Sequence, residues 1–244
     1  MDGDVDIANV ANLMGEPARA SILIALMDGR ALSASTLAIE ARVSRSTVSN
    51  HLTRLVNGGL IDVETSGRHR YFRLASPLVA AAVEALARLA PTRPVRSLGQ
   101  ALHAKDLRRA RTCYDHLAGR LGVSLFDTLL GRGIIEEVIN PKPMIDPIIG
   151  AGRFHSYVIT NSGLNYLATL GIIVEGTSRR PLVLYCLDWS EQRPHLGGAL
   201  GSAFLARLFA LQWLERSDRR VVKVTEAGRN GLYQQFGLDI DTLI

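Results

Sequence analysis

The feature that most constrains this chain is a change of hydrophobic period at Gly58-Gly59. Upstream, from about Ser46 to Asn57, Val48, Leu52 and Leu55 recur at helical spacing and point one way. Downstream the period drops to two. Leu60-Ile61-Asp62-Val63-Glu64 reads as a strand, Thr65-Ser66-Gly67 as a turn, and Arg68 to Leu74 as the returning strand of a β-hairpin. Two more helices precede this pair. Residues 17–28 carry Ile22, Leu23, Leu26 and Met27 at helical spacing, with Pro17 in the first turn and Gly29 past the end. Residues 33–41 form a shorter helix with Ser33 as N-cap, and a break follows at Arg42-Val43-Ser44. Residues 77–90 return to helix, and Pro91-Thr92-Arg93-Pro94 ends it. Helix, turn, helix and hairpin therefore form one expected unit, residues 1–90.

The helix over 46–57 has a second face. Ser46, Ser49, Asn50, Thr53 and Arg54 point away from its apolar stripe. Small hydroxyls, an amide and a guanidinium can approach base edges in a major groove, where an amide bonds bidentately to adenine. Between Arg42 and Arg73 there are six arginines against Asp62 and Glu64, a balance suited to phosphate contacts or to a hairpin tip in a minor groove. The candidate DNA-contacting set is Arg42, Arg45, Ser46, Thr47, Ser49, Asn50, Thr53, Arg54, Arg68, His69 and Arg70. His51 lies beside the apolar stripe and reads as a half-buried structural or phosphate-contacting residue.

The run from Val43 to Ile61, continued by Gly67-Arg-His-Arg-Tyr-Phe-Arg-Leu74, closely resembles the recognition helix and wing of the ArsR family of bacterial repressors. The resemblance covers about residues 5–90. It implies a winged helix-turn-helix homodimer that binds operator DNA and leaves it when an inducer binds. The 77–90 helix, with its Ala/Val/Leu stripe, is the expected dimer element, with residues 5–14 as a second. Two departures bear on what is sensed. The helix Thr36-Leu-Ala-Ile-Glu-Ala-Arg42 has no cysteine, and residues 77–90 hold Glu84 as their only acid and no histidine. The metal sites usual in that family are therefore not expected.

Beyond residue 91 the chain repeats itself. His116-Leu-Ala-Gly-Arg-Leu-Gly122 aligns with His195-Leu-Gly-Gly-Ala-Leu-Gly201, and the match runs without a gap to Glu136 and Glu215. Val158-Ile-Thr160-Asn-Ser-Gly163 matches Lys223-Val-Thr225-Glu-Ala-Gly228, and Cys113-Tyr-Asp115 matches Cys186-Leu-Asp188. Two pseudo-repeats, about 113–172 and 186–240, are expected within a C-terminal domain of residues 91–244. Each reads as helix, strand, returning strand, helix, and the pair could share a core. The fold class expected is mainly α with small β-hairpins: a winged helix-turn-helix domain followed by two winged-helix-like repeats.

Cys113, Asp115, His116, Cys186, Asp188, Trp189 and His195 form the effector or metal candidates. Thiolate, carboxylate and imidazole suit zinc or a similar ion. Each copy has only one cysteine, however, and the Cys-to-His spacing differs between copies. Asp115 and Asp188 could instead cap helices, and Cys113 and Cys186 could fill a core. Tyr114, Tyr185, Trp189 and Trp213 could instead wall a small-molecule pocket. Structural, organic-effector and metal or thiol-redox roles stay open on sequence. The segment Arg93 to Arg111 is basic and reads as either a phosphate-contacting element or a solvated helix.

Composition narrows the function classes. The 244 residues are 47% hydrophobic and 21% charged, with net charge +5 and two cysteines. A disulfide scaffold and a membrane span are not expected, and Asp2, Asp4 and Asp6 stand where a secretory leader would be positive. A cytoplasmic regulator that binds double-stranded DNA is expected, with no cofactor required for the fold and a metal ion left open. An enzyme fused to a DNA-binding unit, or a non-sensing architectural DNA binder, are the alternatives. The first lacks a Gly-rich nucleotide loop, an H-E-x-x-H motif and a serine elbow.

Overall fold

The computed structural model describes residues 4–139, 155–174 and 181–243. The middle of the first expected repeat, residues 140–154, lies outside them. Among the described residues the chain is mainly helical with small antiparallel sheets, and it divides into two compact units at Val83/Glu84. No described helix is long and apolar enough to cross a membrane.

The first unit begins with α1 (Ile7–Gly15) and α2 (Pro17–Leu26). Glu16 separates them. Its carboxylate accepts the amides of Ala18 and Arg19, so it is the N-cap of α2, with Pro17 in the first turn. A two-residue strand β1 (Leu32–Ser33) leads into α3 (Ala34–Ala41), whose N-cap is Ser33. Arg42 stops α3 in the left-handed region, at φ 55°. Val43 follows, and Ser44 then caps α4 (Arg45–Asn57) by accepting the Thr47 amide. Capped stop and capped start lie two residues apart, which makes the turn between α3 and α4 tight. Val48, Leu52 and Leu55 of α4 are buried with Ile22, Leu23, Leu26 and Leu37. α3 packs against both α2 and α4.

The hairpin β2 (Ile61–Ser66) and β3 (His69–Leu74) follows in register from Ile61 opposite Leu74 to Ser66 opposite His69. The turn is Gly67-Arg68, and β2 runs on through Thr65 and Ser66, which the sequence pattern placed in the turn. Gly67 sits at φ 58°, a value that two-residue hairpin turns require and that glycine adopts without penalty. β1 pairs with β3, making a three-stranded sheet ordered β1-β3-β2. A strand of two residues has no alternation to read, so this pairing was not legible beforehand. α5 (Pro77–Leu89) closes the region.

The second unit contains α6 (Leu98–Arg109) and then two runs of like order. The first is the hairpin β4 (Arg111–Cys113) and β5 (His116–Ala118), helix α7 (Gly119–Gly131), hairpin β6 (Ile135–Ile139) and β7 (His155–Ile159), and helix α8 (Asn161–Thr169). The second is β8 (Leu184–Leu187) and β9 (Pro194–Gly197), α9 (Gly198–Ala210), β10 (Leu214–Arg216) and β11 (Val222–Val224), and α10 (Glu226–Phe236). Each run thus opens with a hairpin ahead of the helix, strands, helix order read from sequence. α7 packs against β9 and α9 against β5, so the two runs interlock. One core joins them, with Leu121, Leu125, Phe126 and Leu129 from α7 and Leu200, Phe204, Leu205 and Leu208 from α9.

Small residues let α7 and α9 each sit close on the hairpin that precedes it. A Cβ on Gly122 would lie 2.5 Å from the Leu117 carbonyl oxygen, and one on Gly201 would lie 2.5 Å from that of Leu196. Thr160 caps α8 and Thr225 caps α10, each accepting the amide of a glycine three residues on. Their hydroxyls donate 2.6 Å bonds to Gly133 and Gln212 respectively. These bonds fix each helix to the turn before its hairpin.

Candidate functional site

All eleven candidate DNA-contacting residues are exposed, on one face of α4, in the preceding turn and at the hairpin tip. The local chemistry separates them. The Ser46 and Thr47 hydroxyls lie 2.9 and 2.8 Å from the Ser44 hydroxyl, so they belong to the cap network of α4. The Thr53 hydroxyl donates to the Ser49 carbonyl within the helix. Asn50 and Arg54 project from the same exposed side. Arg68 occupies the turn of the hairpin, and the Arg70 guanidinium lies 5.4 Å from the centroid of the Phe72 ring. Arg73 is different. It pairs with Glu64 and lies 3.9 Å from Asp62, so its charge is offset within the hairpin. His51 is half-buried, its Nδ1 3.5 Å from a Glu16 carboxylate oxygen. It therefore sits against the cap of α2.

In the second unit, the effector or metal candidates divide into four that converge and three that support them. Cys113 is the register partner of His116 across β4–β5, and Cys186 is the register partner of His195 across β8–β9. The unequal sequence spacing is thereby explained. Cross-strand pairing sets the Cys–His distance, and the extra residues of the second copy lie in its longer hairpin loop. The two thiol sulfurs are 3.9 Å apart, and the imidazole centroids 5.1 Å apart. One donor atom from each of Cys113, His116, Cys186 and His195 falls within 4.8 Å of every other. Cys113 and His195 are buried; His116 and Cys186 are half-buried.

The aspartates stand behind the imidazoles. Asp115 Oδ1 is 3.2 Å from His116 Nδ1, and Asp188 Oδ2 is 3.7 Å from His195 Nδ1. Asp188 is wholly buried and committed elsewhere. It accepts from Arg111 Nη2 at 2.9 Å, the Gly119 amide at 2.7 Å, and the amides of Ser190 and Glu191. Trp189 lies beside that pair, with the Arg111 guanidinium 4.6 Å from its ring centroid. The His116 Nε2 and both ring nitrogens of His195 are buried without a hydrogen-bond partner.

Charge in the cluster follows from these contacts. Burial works against the ionised Asp188, but Arg111, His195 and the hydrogen bonds outweigh it and hold the carboxyl well below the usual carboxylate range. Burial, then the neighbouring His116, push the His195 imidazole well below its ordinary value. Burial also works to lower His116, where Cys113 and Asp115 outweigh it and raise the group to about 9. The hydrogen bond to Cys186, together with burial, raises the Cys113 thiol well above its ordinary value.

Sequence reasoning missed the ion pairs that hold this region. Arg111, grouped with a basic surface segment, is fully buried. Its neighbours Arg108 and Arg109 are half-buried, the first 5.5 Å from the Trp189 ring centroid and the second donating to the Ile240 carbonyl. Glu84, noted only as a lone acid, is buried against Arg220, whose Nε donates to the Thr112 carbonyl. The one signal available was Glu84, a lone acid within the apolar helix of residues 77–90. Two of the aromatic residues considered for a pocket wall pack against neighbours. Tyr185 packs edge-on against Tyr157 in the core, and the Trp213 ring lies against Gly231. A cleft lined by Asp106, Arg109, Leu121, Glu215, Arg229 and Ile240 includes none of Tyr114, Tyr185, Trp189 or Trp213 in its wall.

Comparison with known proteins bears on both units. A family model described as a helix-turn-helix domain matches residues 14–64. The chain is 39% identical over 239 residues to YdfF of Bacillus subtilis (strain 168), an uncharacterized HTH-type transcriptional regulator. That match covers 96% of this chain and 99% of the relative. Among solved structures, HlyU from Vibrio cholerae N16961 is 30% identical, over 34% of this chain and 88% of its own, with a TM-score of 0.32. The homodimeric winged helix-turn-helix DNA-binding domain of Mb0332 from Mycobacterium bovis, a possible ArsR-family transcriptional regulator, is 25% identical. It covers 40% of this chain and 99% of its own, with a TM-score of 0.32.

Proposed function

The chain belongs to the HTH-type transcriptional regulators, with a winged helix-turn-helix DNA-binding domain, and from that premise we propose that it is a homodimeric repressor. On this reading α4 enters the major groove of an operator, and the β2–β3 hairpin grips the flanking backbone. The observation that carries it is the division of α4: Val48, Leu52 and Leu55 are buried while Ser49, Asn50, Thr53 and Arg54 are exposed. Asn50 and Arg54 read bases; Arg42, Arg45, Arg68, His69 and Arg70 contact phosphates or the minor groove. One recognition helix reads only a few base pairs, so two copies one DNA turn apart are needed for a specific site.

Exposed apolar side chains support self-association through the helices expected for it. Ile7 and Val10 of α1 are 70% and 42% exposed, and Leu78, Leu86 and Leu89 of α5 are 54%, 50% and 83% exposed. The C-terminal unit, read as two copies of one hairpin–helix–hairpin–helix motif, senses an effector that shifts the dimer to a geometry unable to match both half-sites. A few kcal/mol of differential affinity suffices for that coupling. The reading assigns the chain no catalysis and places its work in the cytoplasm.

The test is selection of genomic fragments on the purified protein, followed by footprinting and sizing of the complex. A protected two-fold site bound by two chains is expected. A footprint without sequence preference, with a steep salt slope, would replace the repressor with an architectural binder.

A further inference from the structure

We propose that Cys113, His116, Cys186 and His195 form a closed tetrahedral site for one zinc-class divalent ion, joining the β4–β5 hairpin to the β8–β9 hairpin. The donor set is two sulfurs and two imidazole nitrogens, the composition that tetrahedral zinc takes in structural sites. The spacing is close to what an ion needs. Metal–sulfur and metal–nitrogen bonds of about 2.3 and 2.0 Å put tetrahedral ligand atoms roughly 3.3–3.8 Å apart. Here the sulfurs are 3.9 Å apart and all four donors lie within 4.8 Å of one another. A small contraction closes the shell.

The unpartnered nitrogens decide between an ion and the other use of two adjacent thiols. Oxidation to a disulfide would need the sulfurs to move from 3.9 Å to about 2 Å. It would still leave His116 Nε2 and both His195 nitrogens buried with nothing to bond. An ion gives each imidazole a partner. It also balances charge: as it binds, the two thiols and any imidazolium among the ligands release their protons to solvent, and two thiolates offset the two positive charges. The resulting centre is neutral, which suits a buried position.

The surroundings complete the arrangement. Asp115 stands at His116 Nδ1 and Asp188 near His195 Nδ1, the carboxylate–imidazole support found behind metal-bound histidines. Arg111 and the Gly119 amide hold Asp188 in place. The site lies in the C-terminal unit and goes beyond the DNA-binding reading.

The experiment uses the full, untagged chain, free of DNA and purified under reducing conditions. Metal content is measured by mass spectrometry after dialysis, and cobalt(II) is titrated into metal-free protein. One zinc per chain is expected, with a cobalt spectrum showing tetrahedral ligand-field bands and thiolate charge transfer at one equivalent. Cys186→Ser should lose the charge-transfer intensity of one thiolate, and Asp115→Asn should weaken binding by roughly 10–100-fold. A folded wild-type chain that takes up neither metal at one equivalent overturns the site. So does a six-coordinate cobalt spectrum, or a Cys113–Cys186 disulfide in the metal-free chain that persists under reducing conditions. The wild-type spectrum decides by itself should a variant fail to fold, and none of these readings depends on operator binding.

Discussion

Arg111 and Asp188, 77 residues apart in the chain, meet at 2.9 Å with both side chains fully buried. The pair does more than offset two charges. Asp188 also accepts the amide of Gly119, the residue that starts α7 at φ 77°, so the ion pair pins one run's helix to the other run's hairpin loop. Arg111→Leu strands a buried carboxylate and should cost about 3–5 kcal/mol, since breaking one side of a buried pair leaves an uncompensated charge. Denaturant unfolding of the two proteins measures it; a difference under 1 kcal/mol would mean that water reaches Asp188.

The close approach of α7 and α9 to their own hairpins makes a second expectation. Gly122 and Gly201 each have a neighbouring carbonyl oxygen 2.5 Å from where a Cβ would stand. The same Cβ atoms would sit 3.7 Å from the His195 Cβ and 3.2 Å from the His116 Cβ. Gly122→Ala and Gly201→Ala should each destabilise the chain by about 1–3 kcal/mol, the usual cost of overpacking. Gly99→Ala, where a Cβ meets nothing within 4 Å, is the control in the same thermal unfolding series.

For the DNA face, Asn50→Ala or Arg54→Ala should each weaken operator binding by roughly 1–3 kcal/mol and relax base preference. Arg68→Ala should weaken binding to all sequences alike and reduce the salt slope by about 1. Titrations at several salt concentrations separate the two behaviours. Unchanged affinity in both α4 variants would remove the assigned face.

Glu16 supplies a pH-dependent element in the first unit. Burial works to raise its carboxyl, but the amide hydrogen bonds from Arg19 and Ala18, with His51 and Arg19 nearby, outweigh it and set the group below its ordinary value of 4.5. A depressed folded value means that the cap stabilises the fold above pH 4.5 and loses that effect as the pH falls through the folded value. Glu16→Ala should cost about 0.5–2 kcal/mol near neutrality. The gap from wild type should shrink in acid, and a gap that holds constant from pH 7 to pH 3 would assign the cap's effect to something other than the ionised carboxylate.

Much of the first unit was legible because its determinants are local. Ser33 as a cap, the break at Arg42-Val43-Ser44, the stripe of Val48, Leu52 and Leu55, and Gly67 in the turn act within a few residues of themselves. The wing's third strand was not legible, because Leu32 and Ser33 are strand only through their pairing with Phe72 and Tyr71. In the second unit the candidate residues were named from sequence but their relation was not. Counting along the chain, the Cys-to-His spacing differs between the two copies, and Arg111 looks like surface charge.

Sequence alone determined the helices and the hairpin of residues 17–74 and which side of α4 faces water, since periodicity and capping act over single turns of backbone. Tertiary structure alone decided which charges are buried and which side chains converge. Cross-strand register brings Cys113 opposite His116 and Cys186 opposite His195, and the packing of the two hairpins then sets the sulfurs 3.9 Å apart. Such distances depend on how strands pair and helices seat, and those are set by the burial of residues far away in the chain.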